Sequence, residues 1–159
     1  MTTEETNQEY YPMPAFPTLS TSNLEASTRF YVEGLGFHHV FSIPGPDGRP
    51  IVEHIRFARY ADMLLEREAP GLDYGTAGRG RGVRITFSAT LANRSCSEVA
   101  RQAREYGAQV EGPVERPWNA REVIVTDPDG YVLVFTEPLD TSKRMDEVLE
   151  NIAEMSEKK

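Results

Sequence analysis

The sequence predicts an α+β fold made of two tandem βαβββ modules. Three observations carry that expectation. Strand-like and helix-like stretches follow one order twice. The two copies share a spacing: Thr18 of "TLST" matches Thr86 of "TFSA", and Ala69 of an Ala-Pro pair matches Glu137 of a Glu-Pro pair, each 68 residues on. A final amphipathic stretch lies outside both copies. Two ends of a unit held at one spacing mark an internal duplication.

Residues 1–13 are polar and acidic without hydrophobic period, so a disordered tail is expected there. Module one spans 14–70. "FPTLST" alternates as a strand does. "SNLEASTRFYVEGLGF" reads as a helix: Ser22 or Asn23 can cap it, and Leu24, Phe30 and Tyr31 form its apolar side. Gly34 and Gly36 end it. "HHVFSIP" is a strand, "GPDG" a hairpin turn, "PIVEHIRFARY" the return strand and "DMLLERE" the next.

Residues 71–82, "GLDYGTAGRGRG", hold five glycines. They lack the Lys-Ser/Thr ending of a phosphate-cradling loop, and no helix follows directly, so a flexible linker is expected. Module two spans 83–138. "VRITFSA" is a strand and "SCSEVARQAREYGAQV" holds a helix that stops at Gly107. A short strand at about 109–114 follows, then "REVIVTD", a "PDG" turn and "YVLVFTE". In 139–159, Met145, Val148, Leu149, Ile152 and Met155 recur at helical spacing, which predicts an amphipathic helix that covers a sheet edge or docks on a second subunit.

Composition narrows the function. The chain has 159 residues, enough for one well-packed core, and a formal net charge of -8. That charge argues against nucleic-acid or anionic-membrane surfaces, which need a basic footprint, and leaves a cationic small ligand open. No apolar run is long enough to span a membrane, and the first residues lack the layout of a secretory leader, so a cytoplasmic setting is expected. The single cysteine, Cys96, excludes an internal disulfide and a cysteine-based zinc cluster. No Gly-x-Ser-x-Gly nucleophile elbow occurs.

The paired modules, "NLEASTRFYVEGLGF" and "TDPDGYVLVFTEP" together resemble the vicinal oxygen chelate superfamily over roughly residues 14–138. That group includes glyoxalase I, extradiol dioxygenases, fosfomycin resistance enzymes and bleomycin resistance proteins. The resemblance implies two half-barrels facing a cavity. It also implies that metal-using members place ligands on the first and last strand of each module. Carried onto this chain, those positions are Phe16 and Arg84 on the first strands, and Glu66 and Val134 on the last. Phenyl and isopropyl groups donate no lone pair, and a guanidinium repels a cation. Glu66 alone is a ligand type, and one carboxylate does not make a three- or four-ligand site. The expectation is therefore no cofactor and no metal. "FPTLSTSNLEASTRFYVEGLGF" looks closest to the metal-free bleomycin-resistance branch, whose members bind a drug and withhold it without chemistry.

Other residues bear on that cavity. His38 and His39 are adjacent, so on a strand they face opposite ways. If Ile51, Ile55 and Phe57 pack under the helix, His54 and Arg56 face the cavity. His54 then has a hydrogen-bonding or packing role, or joins Glu66 at a metal. Glu66 is a counter-charge for a cationic or hydroxylated ligand, or a salt-bridge partner of Arg56 or Arg84. Trp118, in a Pro-flanked loop, stacks on a flat ligand or plugs the core. Phe41, Tyr60 and Phe135 are further wall candidates. Cys96 begins a helix, but no histidine lies near it in sequence to make it a nucleophile.

The leading expectation is a homodimeric, metal-free protein that sequesters a small antibiotic-like ligand through Trp118, Glu66, His54, Arg56, Phe41, Tyr60, Phe135, Arg84 and Phe16. The alternative is a metal-dependent lyase, isomerase or dioxygenase using Glu66 and His54. A metal-free pseudoenzyme that reports a metabolite to a partner is a third.

Overall fold

The computed structural model describes residues 8–72 and 74–157. Module one runs β1 (Thr18–Thr21), α1 (Leu24–Arg29), β2 (His38–Pro44), β3 (Pro50–Ala58) and β4 (Ala61–Arg67). A four-residue helix, α2 (Gly75–Gly78), interrupts the connection. Module two runs β5 (Arg84–Ser88), α3 (Cys96–Glu105), β6 (Gln109–Arg116), β7 (Ala120–Thr126) and β8 (Val132–Pro138), and α4 (Met145–Glu157) closes the chain. Both βαβββ modules are present, with the last helix outside them.

Each module forms one mixed four-stranded sheet, ordered β1-β4-β3-β2 and β5-β8-β7-β6. The first strand of each lies parallel to the last, and the other pairings are antiparallel. This order follows from the local signals. Two tight turns join the last three strands into a meander, and the helix supplies the crossover that a parallel first strand needs.

The helices begin as their sequences dictate. The Asn23 side chain accepts from the Ala26 amide, satisfying an orphan donor of α1. After Arg29 the helix widens into a π turn, Phe30–Gly34. A methyl group on Gly34 would lie 2.9 Å from the Tyr106 ring, so glycine here lets the end of α3 pack closely. Ser95 and Glu98 form a full capping box on α3.

One core serves both modules. Phe37 and Phe57 of module one meet Phe87 and Phe135 of module two at ring-centroid separations of 5.1 to 5.6 Å. Leu35, Ile55, Met63, Leu65, Val99, Val123 and Leu133 complete it. Both sheets therefore turn their helix-side faces toward each other. Their opposite faces point away from the core.

Four expectations need correction. Residues 8–11 do not form a disordered tail, because Tyr11 is 8% exposed against β3 and β4; residues 1–7 lie outside the described set. The glycine-rich 71–82 segment is anchored, since the Arg79 guanidinium is buried between Glu68 and Asp129. β6 extends to Arg116, two residues past the expected end. The repeat does not hold one spacing. Glu66 and Val134 are 68 apart, but their first-strand neighbours, Ser20 and Thr86, are 66 apart. The turns set the last strands 70 apart, since Tyr60 and Gly130 hold the same left-handed position and Ile55 pairs with Met63 as Val125 pairs with Leu133. The first strands are then 68 apart, which keeps Phe16 as the counterpart of Arg84 and makes Thr136, not Val134, the counterpart of Glu66.

Candidate functional site

The outward face of the first sheet is built from alternate residues, because side chains on a strand repeat every second position. Ile55 and Met63 go to the core, so Val52, His54 and Arg56 of β3 and Asp62, Leu64 and Glu66 of β4 go outward. Pairing extends the rows. Ser20, Glu66, Val52 and Ile43 form one row; Thr18, Leu64, His54 and Phe41 form the next; Asp62, Arg56 and His38 form the third. A register shift after His39 brings Phe41 opposite His54, where the two rings meet edge to face at 4.9 Å.

The third row is covered and ionic. Asp62 Oδ1 accepts from Arg56 Nε at 2.7 Å and lies 2.7 Å from His54 Nε2. Its other oxygen accepts the Tyr11 hydroxyl proton. The Arg56 guanidinium lies 4.4 Å from the Tyr11 ring centroid and donates to the Glu9 carbonyl. Burial and the bond to Asp62 push the Tyr11 phenol above its usual range, so it stays a donor at neutral pH. His54 Nδ1 is buried with no partner among the described residues.

The first two rows are open apart from buried His54. Phe41 is 44% exposed, Ile43 is similar, and Glu66 is exposed at the edge. This is an apolar floor with a carboxylate on its rim.

The outward face of the second sheet carries Thr86, Val134, Ile124, Glu122 and Thr136 by the same alternation. At its end, Trp118 is 50% exposed, and its indole N–H donates to Glu122 Oε1 at 2.9 Å. The other Glu122 oxygen accepts from Arg116. The turn that holds Trp118 places Asn119 at φ 60°, a conformation Asn tolerates.

The predicted residues thus separate. Phe41, Glu66, His54 and Arg56 share the first sheet's outward face, and Trp118 lies at the end of the second's. Tyr60 sits in the β3–β4 turn, with its ring against Tyr11 at 4.8 Å. Phe16 precedes β1, half exposed, and Arg84 is exposed at the start of β5. Phe135 is not a wall residue; β8 pairing puts it opposite Val123 on the core side, and it is 0% exposed. His54 does not join Glu66, and Arg56 is drawn to Asp62; Glu66 makes no ion pair among the described residues. Cys96 is buried, and burial together with nearby Glu137 pushes its thiol to about 11, which removes it as a nucleophile.

Metal chemistry can be tested on the donor set. The four strand positions hold Glu66, Val134 or its neighbour Thr136, Arg84 and Phe16. These do not supply the three or four donors a divalent ion takes. Among the described residues, no three His, Cys, Asp or Glu side chains group so as to hold a metal. The residues at these positions do not fit a metal centre.

Two clusters escaped the sequence reading. His39 Nε2 contacts both Ser42 Oγ and Glu53 Oε2, and Ser42 also donates to Glu53. Because serine and carboxylate share one ring nitrogen, this is not a nucleophile triad, which needs them on opposite nitrogens. The second cluster explains the "DPDG" motif. Asp127 Oδ1 accepts from the amides of Asp129 and Tyr131, and its Oδ2 accepts from the Tyr31 hydroxyl at 2.7 Å. Asp129 accepts from the Ser22 amide and from the hydroxyls of Ser22 and Ser27. Tyr131 donates to the Ser20 carbonyl. Gly130, at φ 94°, permits the turn. The motif fastens module two onto the start of α1.

Comparison with known proteins agrees with this architecture. The profile of the Glyoxalase/Bleomycin resistance protein/Dioxygenase superfamily matches residues 15–135. Among solved structures, TnmS3, an antibiotic binding protein from Streptomyces sp. CB03234, is 25% identical with a TM-score of 0.56, covering 77% of this chain and 93% of its own. A glyoxalase/bleomycin resistance protein from the same source is 24% identical, TM-score 0.55, covering 77% and 97%. A glyoxalase/bleomycin resistance protein/dioxygenase from Nocardioides is 22% identical, TM-score 0.58, covering 85% and 89%. No curated protein sequence matches. With a superfamily match over most of its length and the paired sheets to go with it, the chain belongs to the glyoxalase/bleomycin resistance protein/dioxygenase superfamily.

Proposed function

We propose that this protein binds and sequesters a small, antibiotic-like molecule, cationic or aromatic, without metal chemistry. The observation that carries the reading is the outward face of module one. It offers exposed Phe41 and Ile43, a floor of Val52 and Leu64, and the free rim carboxylate of Glu66. Apolar burial at about 25 cal/mol per Å² supplies affinity, and Glu66 supplies orientation and selects charge. The net charge of -8 draws a cation toward the surface. The likeness to an antibiotic binding protein supports the same ligand class.

A second copy belongs to this reading. The two outward faces point away from the shared core, so a chamber over either face needs a wall from elsewhere. A homodimer in which module one faces the partner's module two would bring the partner's Trp118 over the floor. His54 and Arg56 would then act from below, through Asp62, and Arg84 and Phe16 from the rim.

The test is calorimetric titration with a panel of cationic aromatic antibiotics, before and after EDTA treatment, alongside metal analysis. One ligand per face, unchanged by EDTA and weakened about tenfold or more by Glu66→Gln or Trp118→Phe, is expected. Stoichiometric zinc, iron, nickel or manganese in the purified protein, or binding abolished by EDTA, would instead favour an enzyme built on Glu66.

A further inference from the structure

Tyr11 occupies a built site. Its hydroxyl donates to the buried Asp62 carboxylate and accepts the Tyr60 amide proton at 2.8 Å. Its ring lies 4.4 Å from the Arg56 guanidinium carbon and meets the edge of Tyr60. This is a complete recognition set for a phenol: an acceptor and a donor for the oxygen, a cation over the π face, and an aromatic side wall. The acceptor is unusual for a mere anchor. Asp62 already serves Arg56 and His54, and all three are almost wholly buried.

Two further features point to exchange and not to a permanent fastening. The segment that carries Tyr11 is imperfectly satisfied, since Glu9 Oε2 is buried without a partner among the described residues. His54, whose ring meets Phe41 edge to face, likewise leaves Nδ1 buried and without a partner among the described residues. A buried polar atom left unpaired is costly, and a ligand reaching from the open floor toward Asp62 could satisfy it.

We propose that the pocket beneath Tyr11 is a phenol-binding subsite, occupied in the free protein by the chain's own tyrosine and vacated for a hydroxyaromatic ligand. The proposal rests on the small-molecule reading above and adds the ligand's chemical class. The tethered tyrosine competes at an effective concentration in the millimolar range, about that of a short flexible linker, so it selects against weak phenols and yields to ligands that also grip the apolar floor.

The experiment uses Tyr11→Ala in the full chain, with p-cresol as the probe and toluene as the hydroxyl-free control. Binding is read from the Tyr60 backbone amide in two-dimensional NMR, because that N–H donates to the phenol oxygen. Removing Tyr11 should shift the resonance, and p-cresol should return it toward its original position. Affinity should be about tenfold or more above that of the intact protein, and toluene should have no such effect. A folded variant whose Tyr60 amide ignores millimolar p-cresol would overturn the proposal, as would equal binding of toluene. If the alanine variant does not fold, the intact protein is titrated in its place and read at the Arg56 side chain, where no response to p-cresol overturns the proposal. In the intact protein, p-cresol but not toluene should also displace Arg56 Nη1 from the Glu9 carbonyl, seen as a shifted Arg56 side-chain resonance. Antibiotic binding in the calorimeter with no p-cresol response rejects the subsite alone; the converse rejects the antibiotic reading alone.

Discussion

At the scale of single residues, Asp127 shows how one buried group sets a pH dependence. Burial raises its carboxyl above the usual range, and the Tyr31 hydrogen bond offsets only part of that. A raised folded-state value means that the folded protein holds the proton more tightly than the unfolded chain does. The stabilising contribution is full below the unfolded value of about 3.9 and is lost as pH rises through the folded value. The expected outcome is that the stability of the wild type relative to Asp127→Asn declines as pH is raised across that window, measured by urea unfolding at each pH. A gap that is flat, or that grows with pH, would contradict the burial argument. Residue roles of this kind were hard to read in advance. Asp127 and Tyr31 lie 96 positions apart, and Tyr11 and Asp62 lie 51 apart. A lone tyrosine in a polar segment has no period to announce its burial. His54 and Arg56 lie on the face opposite Ile55 and Phe57, as alternation requires, and alternation is local. Their capture by Asp62 was not legible, because a partner across a turn depends on the pairing register.

At the scale of elements, helices and turns were the legible part. Asn23 and Ser95 stand where their helices begin, and each side chain takes the amide its position requires. Ser95→Ala should cost about 1 kcal/mol through loss of the capping box, seen as a lower urea midpoint with an unchanged slope. The strands were legible for the same reason: apolar alternation and the "GPDG" and "DPDG" turns are short-range signals. The spacing of the repeat was less so. A single value of 68 fits the first strands but not the last, which the β3–β4 and β7–β8 turns set 70 apart. Only the sheet pairing shows that the first and last strands of the two copies differ by two residues in spacing. Phe135 was misjudged for a related reason. An aromatic on the last strand suits a wall or a core equally, and the choice depends on which face meets the other module.

At the scale of the whole molecule, the shared aromatic core makes the two modules one folding unit. Phe57 lies in module one and packs on Phe87 and Phe135 of module two. Phe57→Leu should cost about 1–3 kcal/mol. It should lower the midpoint reported by Trp118 fluorescence, a module-two signal, by as much as the midpoint reported by far-ultraviolet circular dichroism. A Trp118 transition that ignores the substitution would mean that the halves unfold separately. The same arrangement explains why the expected wall residues of the two modules do not line one shared cavity. The resemblance supplies the two curved sheets, but which faces they turn to each other is decided by where Phe37, Phe57, Phe87 and Phe135 are buried.

The "DPDG" fastening has also made the duplicated halves unequal. The acids that grip, Asp127 and Asp129, exist only in the later copy, and the hydroxyls they grip, on Ser22, Ser27 and Tyr31, only in the earlier one. The corresponding bend of the earlier copy, between Ala58 and Ala61, carries Arg59 and Tyr60 and no carboxylate. Two identical copies of either half could not rebuild this joint, so whatever symmetric ancestor the duplication began from, the present protein has no route back to it by simple exchange of its parts.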